Sequence, residues 1–279
     1  MNLGYSINCK GTLIDFSMPK VMGILNVTPD SFYDGGKYKN EAEIIAQTSK
    51  MLAEGSAFID VGGYSSKPGS KVISEEEELQ RVLPVVKKLV KEFPEINLSI
   101  DTFRSNVAAR CIDEGAALIN DISAGSLDLA MFETVAKLQV PYIMMHMQGT
   151  PQTMQQNPSY DNIIKEIIYF FSKKLAELRS LGVNDIIADV GFGFGKTMAH
   201  NYSLLRDLAL FNSLGVPLLA GISRKSMLYK LLEINPQKSL NATTCANTIA
   251  LLNGANILRV HDVKEAVEAI KIVAELQKS

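Results

Sequence analysis

The sequence has few of the residues that build disulfide frameworks or zinc sites. Of its 279 residues, 3 are cysteine and 3 are histidine. Cys9, Cys111 and Cys245 are odd in number, lie far apart and lack CxxC spacing, so we expect reduced thiols that serve as small buried core residues. Because the histidines show neither HExxH nor HxH spacing, a tight zinc site is not expected.

Strong net charge and long apolar runs are also missing. The net charge is −2 and the isoelectric point about 6.0, so no overall basic field favours nucleic acid or an anionic membrane. No uninterrupted apolar stretch approaches the ~20 residues that cross a bilayer, and the start, MNLGYSINCKG, lacks the apolar core of a signal peptide. We therefore expect a soluble, cytoplasmic protein without nucleic-acid or membrane partners.

The chain does have enough apolar residues for one large core. Hydrophobic residues make up 47% of the sequence and no linker divides it, so residues 1–279 are expected to form a single domain. Short apolar runs alternate with amphipathic segments, which indicates repeated strand–helix units. The expected strands lie near Val21–Val27, Ala57–Val61, Leu98–Ile100, Ala117–Ile119, Tyr142–Met145, Ile186–Ala188, Pro217–Gly221 and Ile257–Val260.

The segments between these runs have helical periodicity. In Ser74–Phe93, the first serine can cap the opening turn, and the glutamates that follow suit its positive dipole end. Five glycines stand where helices should end in a left-handed residue: Gly55, Gly115, Gly182, Gly215 and Gly254. About eight such units favour a single (β/α)8 TIM barrel, with an open doubly wound sheet as the alternative. A short N-terminal β-hairpin, Ile7–Phe16, is expected to close one end.

Polar residues stand at the ends of the predicted strands, and barrel enzymes build their active sites at that rim. In chain order they are Asn26, Asp60, Asp101, Asn120, Asp121, His146, Asp189, the run Ser223–Ser226 and the run Arg259–Asp262. Acids and amides occupy the middle strands. Lys225, Arg259 and His261 follow the last two strands and are expected to lie beside the first two strands, where the barrel closes. We therefore expect a cleft with two halves, one for a hydrogen-bonding heterocycle and one for phosphate or pyrophosphate. Asp121 and Asp262 have the alternative role of helix caps.

Three segments rich in glycine are expected to form loops at this rim. Residues 26–36 and 62–70 follow the first two strands and are irregular, and the second could close on an anion. The third, Gly191–Thr197, looks like a Walker A loop, but Val190 stands where that pattern requires glycine. We expect a rim loop with exposed phenylalanines there instead of a nucleotide site. His200 is expected to be a surface or capping residue.

Taken in order, the segments GILNVTPDSF, DGG, SIDT, NDIS, MHMQGTP, GFGFGK, SRKS and RVHD resemble dihydropteroate synthase. The resemblance implies a (β/α)8 barrel, usually a homodimer. It implies condensation of 6-hydroxymethyl-7,8-dihydropterin diphosphate with p-aminobenzoate to 7,8-dihydropteroate and pyrophosphate, with Mg2+ as cofactor. Sulfonamides would inhibit by imitating p-aminobenzoate. The reaction needs little proton machinery, because an arylamine is neutral at pH 7 and pyrophosphate leaves readily once its charge is neutralised.

The resemblance also assigns roles to residues. It implies that the pterin is held by Asp101, Asn120, Asp189 and Lys225, the pyrophosphate by Asn26, Ser66, Arg259 and His261, and p-aminobenzoate by Ser66, Pro68, Phe194, Lys225 and Ser226. Asn26 is implied as the magnesium ligand, and Asn26, Lys225, Arg259 and His261 as catalytic residues. Asp34 and Lys67 belong to the loops that close over the site. Arg259→Ala is expected to slow turnover severely while folding survives.

The second loop departs from the family pattern, with GGYSSKPG in place of the usual GGESTRPG. Tyr64 replaces glutamate, Ser66 replaces threonine and Lys67 replaces arginine, which keeps the charge but loses the bidentate geometry. Val190 stands where the family usually has proline. We expect these changes to affect loop closure and the response to sulfonamides more than the reaction.

Two alternative functions share the expected barrel. A pterin-dependent methyltransferase would have a pterin pocket without need of the pyrophosphate residues, and the long first loop, SRKS and RVHD weigh against it. A catalytically silent pterin-binding paralogue would have lost Asn26, Lys225 or Arg259, and all three are present.

Overall fold

A computed structural model describes residues 4–27, 37–65 and 72–278, without the side chains of residues 37–40. Strands β1 (Ser6–Cys9) and β2 (Thr12–Asp15) pair antiparallel as a hairpin. The barrel strands are β3 (Lys20–Asn26), β4 (Phe58–Gly62), β5 (Leu98–Asp101), β6 (Leu118–Asp121), β7 (Tyr142–Met145), β8 (Ile186–Asp189), β9 (Leu218–Ala220) and β10 (Ile257–Val260). Each predicted strand thus forms, with ends shifted by two residues at most.

These strands form a closed parallel barrel in the order β10-β3-β4-β5-β6-β7-β8-β9. Closure is made by β10, which pairs in parallel with both β3 and β9. The predicted (β/α)8 barrel is therefore confirmed, and the open doubly wound sheet is excluded because the sheet has no free edge strand.

Helices surround the barrel. The α-helices are α1 (Lys37–Ala53), α2 (Glu75–Glu92), α3 (Ser105–Asp113), α4 (Met131–Leu138), α5 (Ile163–Ser180), α6 (Met198–Arg206), α7 (Ser226–Tyr229), α8 (Leu240–Leu252) and α9 (Val263–Lys278). The side chain of Ser74 accepts a hydrogen bond from the Glu77 N–H and caps α2, as predicted. All five predicted helix-ending glycines have φ between +69° and +100°, the left-handed conformation that ends a helix at little steric cost.

Alternate residues of each barrel strand face inward, and this alternation sorts the core into two clusters. At the start of the strands, inward residues such as Met22, Phe58 and Ile143 pack together with Ile7 and Phe16 of the hairpin. Outward residues pack against the helices in a second, larger cluster. The hairpin therefore closes the N-terminal end of the barrel, as predicted, and leaves the C-terminal end of the strands for a site.

The cysteine prediction is only partly correct. Cys9 and Cys111 are buried, whereas Cys245 is exposed. The reason is the orientation of α8, which buries Thr243, Ala246 and Asn247 and turns Cys245 to the opposite face.

Among the described residues, no helix is both long enough and apolar enough to span a membrane.

Candidate active site at the C-terminal end of the barrel

The guanidinium of Arg259 lies between two carboxylates in the mouth of the barrel. Its Nε donates to Asp60 Oδ2 at 2.5 Å and its Nη2 to Asp101 Oδ2 at 2.6 Å. The side chain of Asp60 is fully buried, and that of Asp101 is about one-fifth exposed. Burial raises the pKa of Asp101 to about 7, and the carboxylates of Asp60, Glu78 and Asp121 act in the same direction, whereas Arg259 opposes the shift.

Asp60 also holds the amide of Asn120. The Asn120 Nδ2 donates to Asp60 Oδ2 at 3.0 Å, so one carboxylate oxygen accepts from both Asn120 and Arg259. Sequence reasoning placed Asp60 at a strand end but gave it no role. The signal that could have found it is its position, because Asp60 faces the inside of the barrel, as Asp101 and Asn120 do, and pairs in register with Ser99, two residues before Asp101.

Lys225 and Asp189 meet on the other side of the mouth. A Cβ built on Gly221 would lie 3.8 Å from both Asp189 Oδ2 and Lys225 Nζ, and 3.9 Å from Arg259 Cβ, so the three side chains surround this glycine. Burial lowers the pKa of Lys225 to about 8, and the nearby carboxylate of Asp189 limits the shift. Burial likewise raises the pKa of Asp189, which Lys225 counteracts.

The carboxylates and the cations of the mouth lie within contact of each other. Arg259 pairs with Asp60 and Asp101, and Lys225 lies beside Asp189, although the two cations come from the neighbouring strands β9 and β10. The physical reason is burial, because a desolvated carboxylate in the barrel is far less unfavourable when a cation lies next to it.

Known proteins with related sequences match nearly the whole chain. The family model described as pterin binding enzyme matches residues 22–261. The dihydropteroate synthase of Escherichia coli (strain K12) is 45% identical over 266 residues, which cover 95% of this chain and 94% of the relative. The Haemophilus influenzae enzyme of the same name is 42% identical over 93% of this chain and 94% of its own length. The chain belongs to the dihydropteroate synthase family.

Solved dihydropteroate synthases have the same architecture. The Yersinia pestis structure with a sulfonamide drug aligns with a TM-score of 0.92 at 42% identity, covering 99% of this chain and 100% of that one. The Xanthomonas albilineans structure with 4-aminobenzoic acid also gives a TM-score of 0.92, at 36% identity and 99% coverage of both chains. The barrel and its mouth are therefore those of dihydropteroate synthases.

Two polar strand ends point away from the mouth of this dihydropteroate synthase barrel. Asp121 accepts from the Tyr142 hydroxyl and from the Ser123 and Gly125 N–H groups, so it braces a turn, which is close to its alternative capping role. His146 packs against Phe170 of α5 with ring centroids 4.9 Å apart. Both residues follow an inward-facing neighbour on their strands, and the alternation turns them outward, so the prediction that they belong to the ring of acceptors is wrong.

The glycine-rich segment Gly191–Thr197 is not a loop of exposed phenylalanines. Phe192 is completely buried, and Phe194 is partly buried. Lys225 Nζ donates to the carbonyl of Phe192 and lies 4.8 Å from the centre of the Phe194 ring. His200 caps α6 as predicted, because its Nδ1 accepts from the Thr197 N–H while Thr197 Oγ1 accepts in return.

The remaining predicted residues lie at the rim or outside the described ranges. His261 and Ser226 are exposed, and His261 Nδ1 is 3.0 Å from Ser223 Oγ. Asn26 ends β3 on its inward face and is partly exposed. Asp262 forms a bidentate pair with Arg224. Asp34, Ser66, Lys67 and Pro68 lie outside the described residues.

The departures from the family pattern that the structure describes are both buried. Tyr64 accepts a hydrogen bond from Gln152 Nε2 at 3.0 Å and packs edge-on against Phe103. The guanidinium of Arg104 lies 5.8 Å from the centre of the Tyr64 ring. Val190 packs in the outer core cluster. Both side chains are therefore accommodated in the packing of the fold.

Proposed function

We propose that this protein condenses 6-hydroxymethyl-7,8-dihydropterin diphosphate with p-aminobenzoate to form 7,8-dihydropteroate and pyrophosphate. The observation that carries the proposal is the inward layer of the barrel mouth, where Asp101, Asn120, Asp189, Lys225 and Arg259 come together. Solved relatives with 4-aminobenzoic acid and with 7,8-dihydropteroate support the same pair of reactant and product.

The pterin ring can form hydrogen bonds with the carboxylates and the amide of this layer. Its amino group and ring N–H groups are donors, which the carboxylates of Asp189 and Asp101 can accept. Asn120 is oriented for this task, because its Nδ2 is held by Asp60 and its carbonyl oxygen therefore points the other way. Lys225 supplies a donor for the ring carbonyl, and the neighbouring Asp189 keeps it charged.

Arg259 can bind the leaving pyrophosphate while it keeps its hydrogen bonds to Asp60 and Asp101. A guanidinium has five N–H donors, and the bonds to Asp60 and Asp101 use one on Nε and one on Nη2. The remaining N–H donors are available to diphosphate oxygens. The charged ammonium of Lys225 lies nearby. Fixed cations in a partly desolvated mouth stabilise the negative charge that develops as pyrophosphate departs.

The bond changes then need no catalytic base. The bond between the pterin methylene carbon and the diphosphate oxygen breaks, with its electron pair leaving on pyrophosphate, and the electron-rich pterin stabilises the methylene cation. The amine lone pair of p-aminobenzoate forms the new C–N bond, and the proton it releases passes to pyrophosphate or water. Phe194, Ser226 and Lys225 are proposed to line the p-aminobenzoate side, where sulfonamides would compete.

We propose that Mg2+ takes part, held by Asn26 and by the diphosphate itself. No cluster of three His, Cys, Asp or Glu side chains in the described ranges could hold a metal ion. Asn26 offers a single amide oxygen at the mouth, which fits an ion that keeps several waters and binds mainly through substrate phosphates. The ion would neutralise diphosphate charge. Excess chelator is expected to abolish turnover, and added Mg2+ to restore it.

A cytoplasmic homodimer is proposed as the working form. Exposed apolar residues lie on the outer faces of two adjacent helices, with Ile249 and Leu252 on α8 and Ile272 and Leu276 on α9. Burial of this surface against a second copy would remove it from water. Sedimentation velocity of the protein and of Ile272→Glu tests the assignment, because a wild-type monomer would contradict it.

Release of pyrophosphate tests the proposed function. With pterin diphosphate and Mg2+, release is expected to require p-aminobenzoate. Asp189→Asn should lower kcat/KM for the pterin substrate about ten- to a hundredfold, because a hydrogen bond to a charged group contributes about 1.5–3 kcal/mol. The matched control is Asp185→Asn, at the opposite end of β8, where the carboxylate accepts from the Asn8 backbone. Equal losses in both variants would remove Asp189 from the pterin site.

A further inference from the structure

A second lysine lies behind the proposed p-aminobenzoate side of the mouth. Lys196 lies near the end of the glycine-rich segment Gly191–Thr197 and is almost completely buried. Its ammonium donates to the Phe194 carbonyl at 2.8 Å, to His146 Nδ1 at 3.1 Å and to the His146 carbonyl at 3.2 Å. A lysine ammonium has three N–H donors, so each of them has an acceptor here.

The His146 ring is a neutral acceptor in this arrangement. Burial lowers the pKa of His146 to about 3, and the charge of Lys196 acts in the same direction. Nδ1 can therefore accept from Lys196, with the ring proton on Nε2. Burial also lowers the pKa of Lys196, to about 7, while the carboxylate of Asp189 opposes that shift and favours the ammonium form.

Two positions near Lys196, Gly191 and Gly195, are packed too closely for any residue but glycine. Gly191 has φ +69°, and a Cβ built on it would lie 2.0 Å from the His146 carbonyl oxygen. Gly195 has φ +61°, and its Cβ would lie 2.7 Å from the Gln148 carbonyl oxygen. The loops that follow β7 and β8 therefore pack backbone against backbone, and Lys196 joins them by hydrogen bonds.

Two lysines thus hold the glycine-rich segment from opposite sides. Lys225 contacts the Phe192 carbonyl and the Phe194 ring from the mouth. Lys196 binds the Phe194 carbonyl from the buried side. Other hydrogen bonds also hold this segment, from the Phe194 N–H to the Gly191 carbonyl at 3.1 Å and from the Gly193 N–H to Asn201 Oδ1 at 2.7 Å. Lys196 adds the hydrogen bond to the Phe194 carbonyl, and Lys225 contacts the Phe194 ring.

We propose that Lys196 is a positioning residue for the p-aminobenzoate pocket. By holding the Phe194 carbonyl against the loop after β7, it fixes the Phe194 ring as a wall of that pocket without contacting either substrate. The inference rests on the proposed function and deepens it. Loss of Lys196 should therefore impair use of p-aminobenzoate and leave recognition of the pterin intact.

Steady-state kinetics of Lys196→Met test the proposal, with Lys137→Met on the exposed face of α4 as the control. The KM for p-aminobenzoate and the inhibition constant of a sulfonamide should rise together by about ten- to a hundredfold, since a small misplacement of a positioning group has effects of this size. The KM for the pterin diphosphate should stay within about twofold of wild type. Unchanged constants, or an equal rise in both KM values, would overturn the proposal.

A double-mutant cycle with Phe194→Ala gives the decisive readout. If Lys196 acts through Phe194, then Lys196→Met should raise the KM for p-aminobenzoate no further in the Phe194→Ala background. Independent, multiplicative effects would overturn the proposal. Should Lys196→Met fail to fold, Lys196→Gln is tested by the same criteria. A wild-type protein that makes no dihydropteroate would instead refute the proposed function.

Discussion

The Nε atom of Arg259 lies 2.5 Å from Oδ2 of Asp60, a pair that links β10 to β4 across the intervening strand β3. The same oxygen of Asp60 accepts from the amide of Asn120. Asp60 therefore joins a residue assigned to the pyrophosphate with one assigned to the pterin. It is buried below both and would orient them without occupying the site itself.

Asp60→Asn tests this orienting role. The variant keeps the size of the side chain but loses the charge that faces Arg259 and one of the two equivalent oxygens. We expect kcat/KM for the pterin diphosphate to fall about ten- to a hundredfold, as happens when the partner of a ligand-holding residue is lost. The KM for p-aminobenzoate should change little. A variant with wild-type kinetics for both substrates would show that Asn120 and Arg259 need no such support.

Arg259→Ala is now expected to weaken the fold as well as turnover. Removing the guanidinium leaves Asp60 and Asp101 buried and uncompensated, which should lower the free energy of unfolding by about 3 kcal/mol. Denaturant titration measures this loss. Adding Asp60→Asn to the Arg259→Ala variant should recover part of the stability without recovering activity. A double variant less stable than the single one would contradict the electrostatic explanation.

His146 should make stability depend on pH. Its pKa is lowered from 6.5 to about 3 in the folded protein, so the unfolded chain binds the extra proton first as pH falls. The stabilisation is fully present above pH 6.5 and is lost as pH falls from there toward 3, by up to about 1.4 kcal/mol per pH unit. Lys196 and Tyr160 face the ring. Unfolding titrations between pH 7 and 5 should show a smaller slope for His146→Gln, and an identical slope would refute this assignment.

Phe16→Ala should affect stability alone. The ring is buried in the cluster that closes the N-terminal end of the barrel, far from the strand ends that form the mouth. Truncation should lower the free energy of unfolding by about 3–5 kcal/mol. Both KM values should match wild type below the unfolding transition. A selective change in either KM would show that the two ends of the barrel are coupled.

The barrel could be predicted from the sequence because its strands are buried on both faces. The run Tyr142–Met145 is apolar throughout, and Ile257–Val260 is apolar except for Arg259, so the positions of both strands match the structure. Helix ends were equally clear, because Ser74 and the five glycines have a local physical role. Membership of the family followed from motifs spread over most of the chain.

The orientation of the strand-end residues was harder to predict. A list of strand ends treats Asp121 and Asp189 alike, yet the first braces a turn outside the barrel and the second lies in the mouth. To tell the two apart, inward and outward positions must be counted from the strand boundaries. The sequence predicts those boundaries only to within a residue or two. The pairing of Arg259 with Asp60 joins residues 199 positions apart and depends on barrel closure.

Mass spectrometry of the product tests the central claim most directly. Purified protein is incubated with 6-hydroxymethyl-7,8-dihydropterin diphosphate and Mg2+, with and without p-aminobenzoate. The account predicts 7,8-dihydropteroate only when p-aminobenzoate is present. Pterin binding without that product in the complete mixture would contradict the account and would favour a methyltransferase or a silent pterin-binding protein.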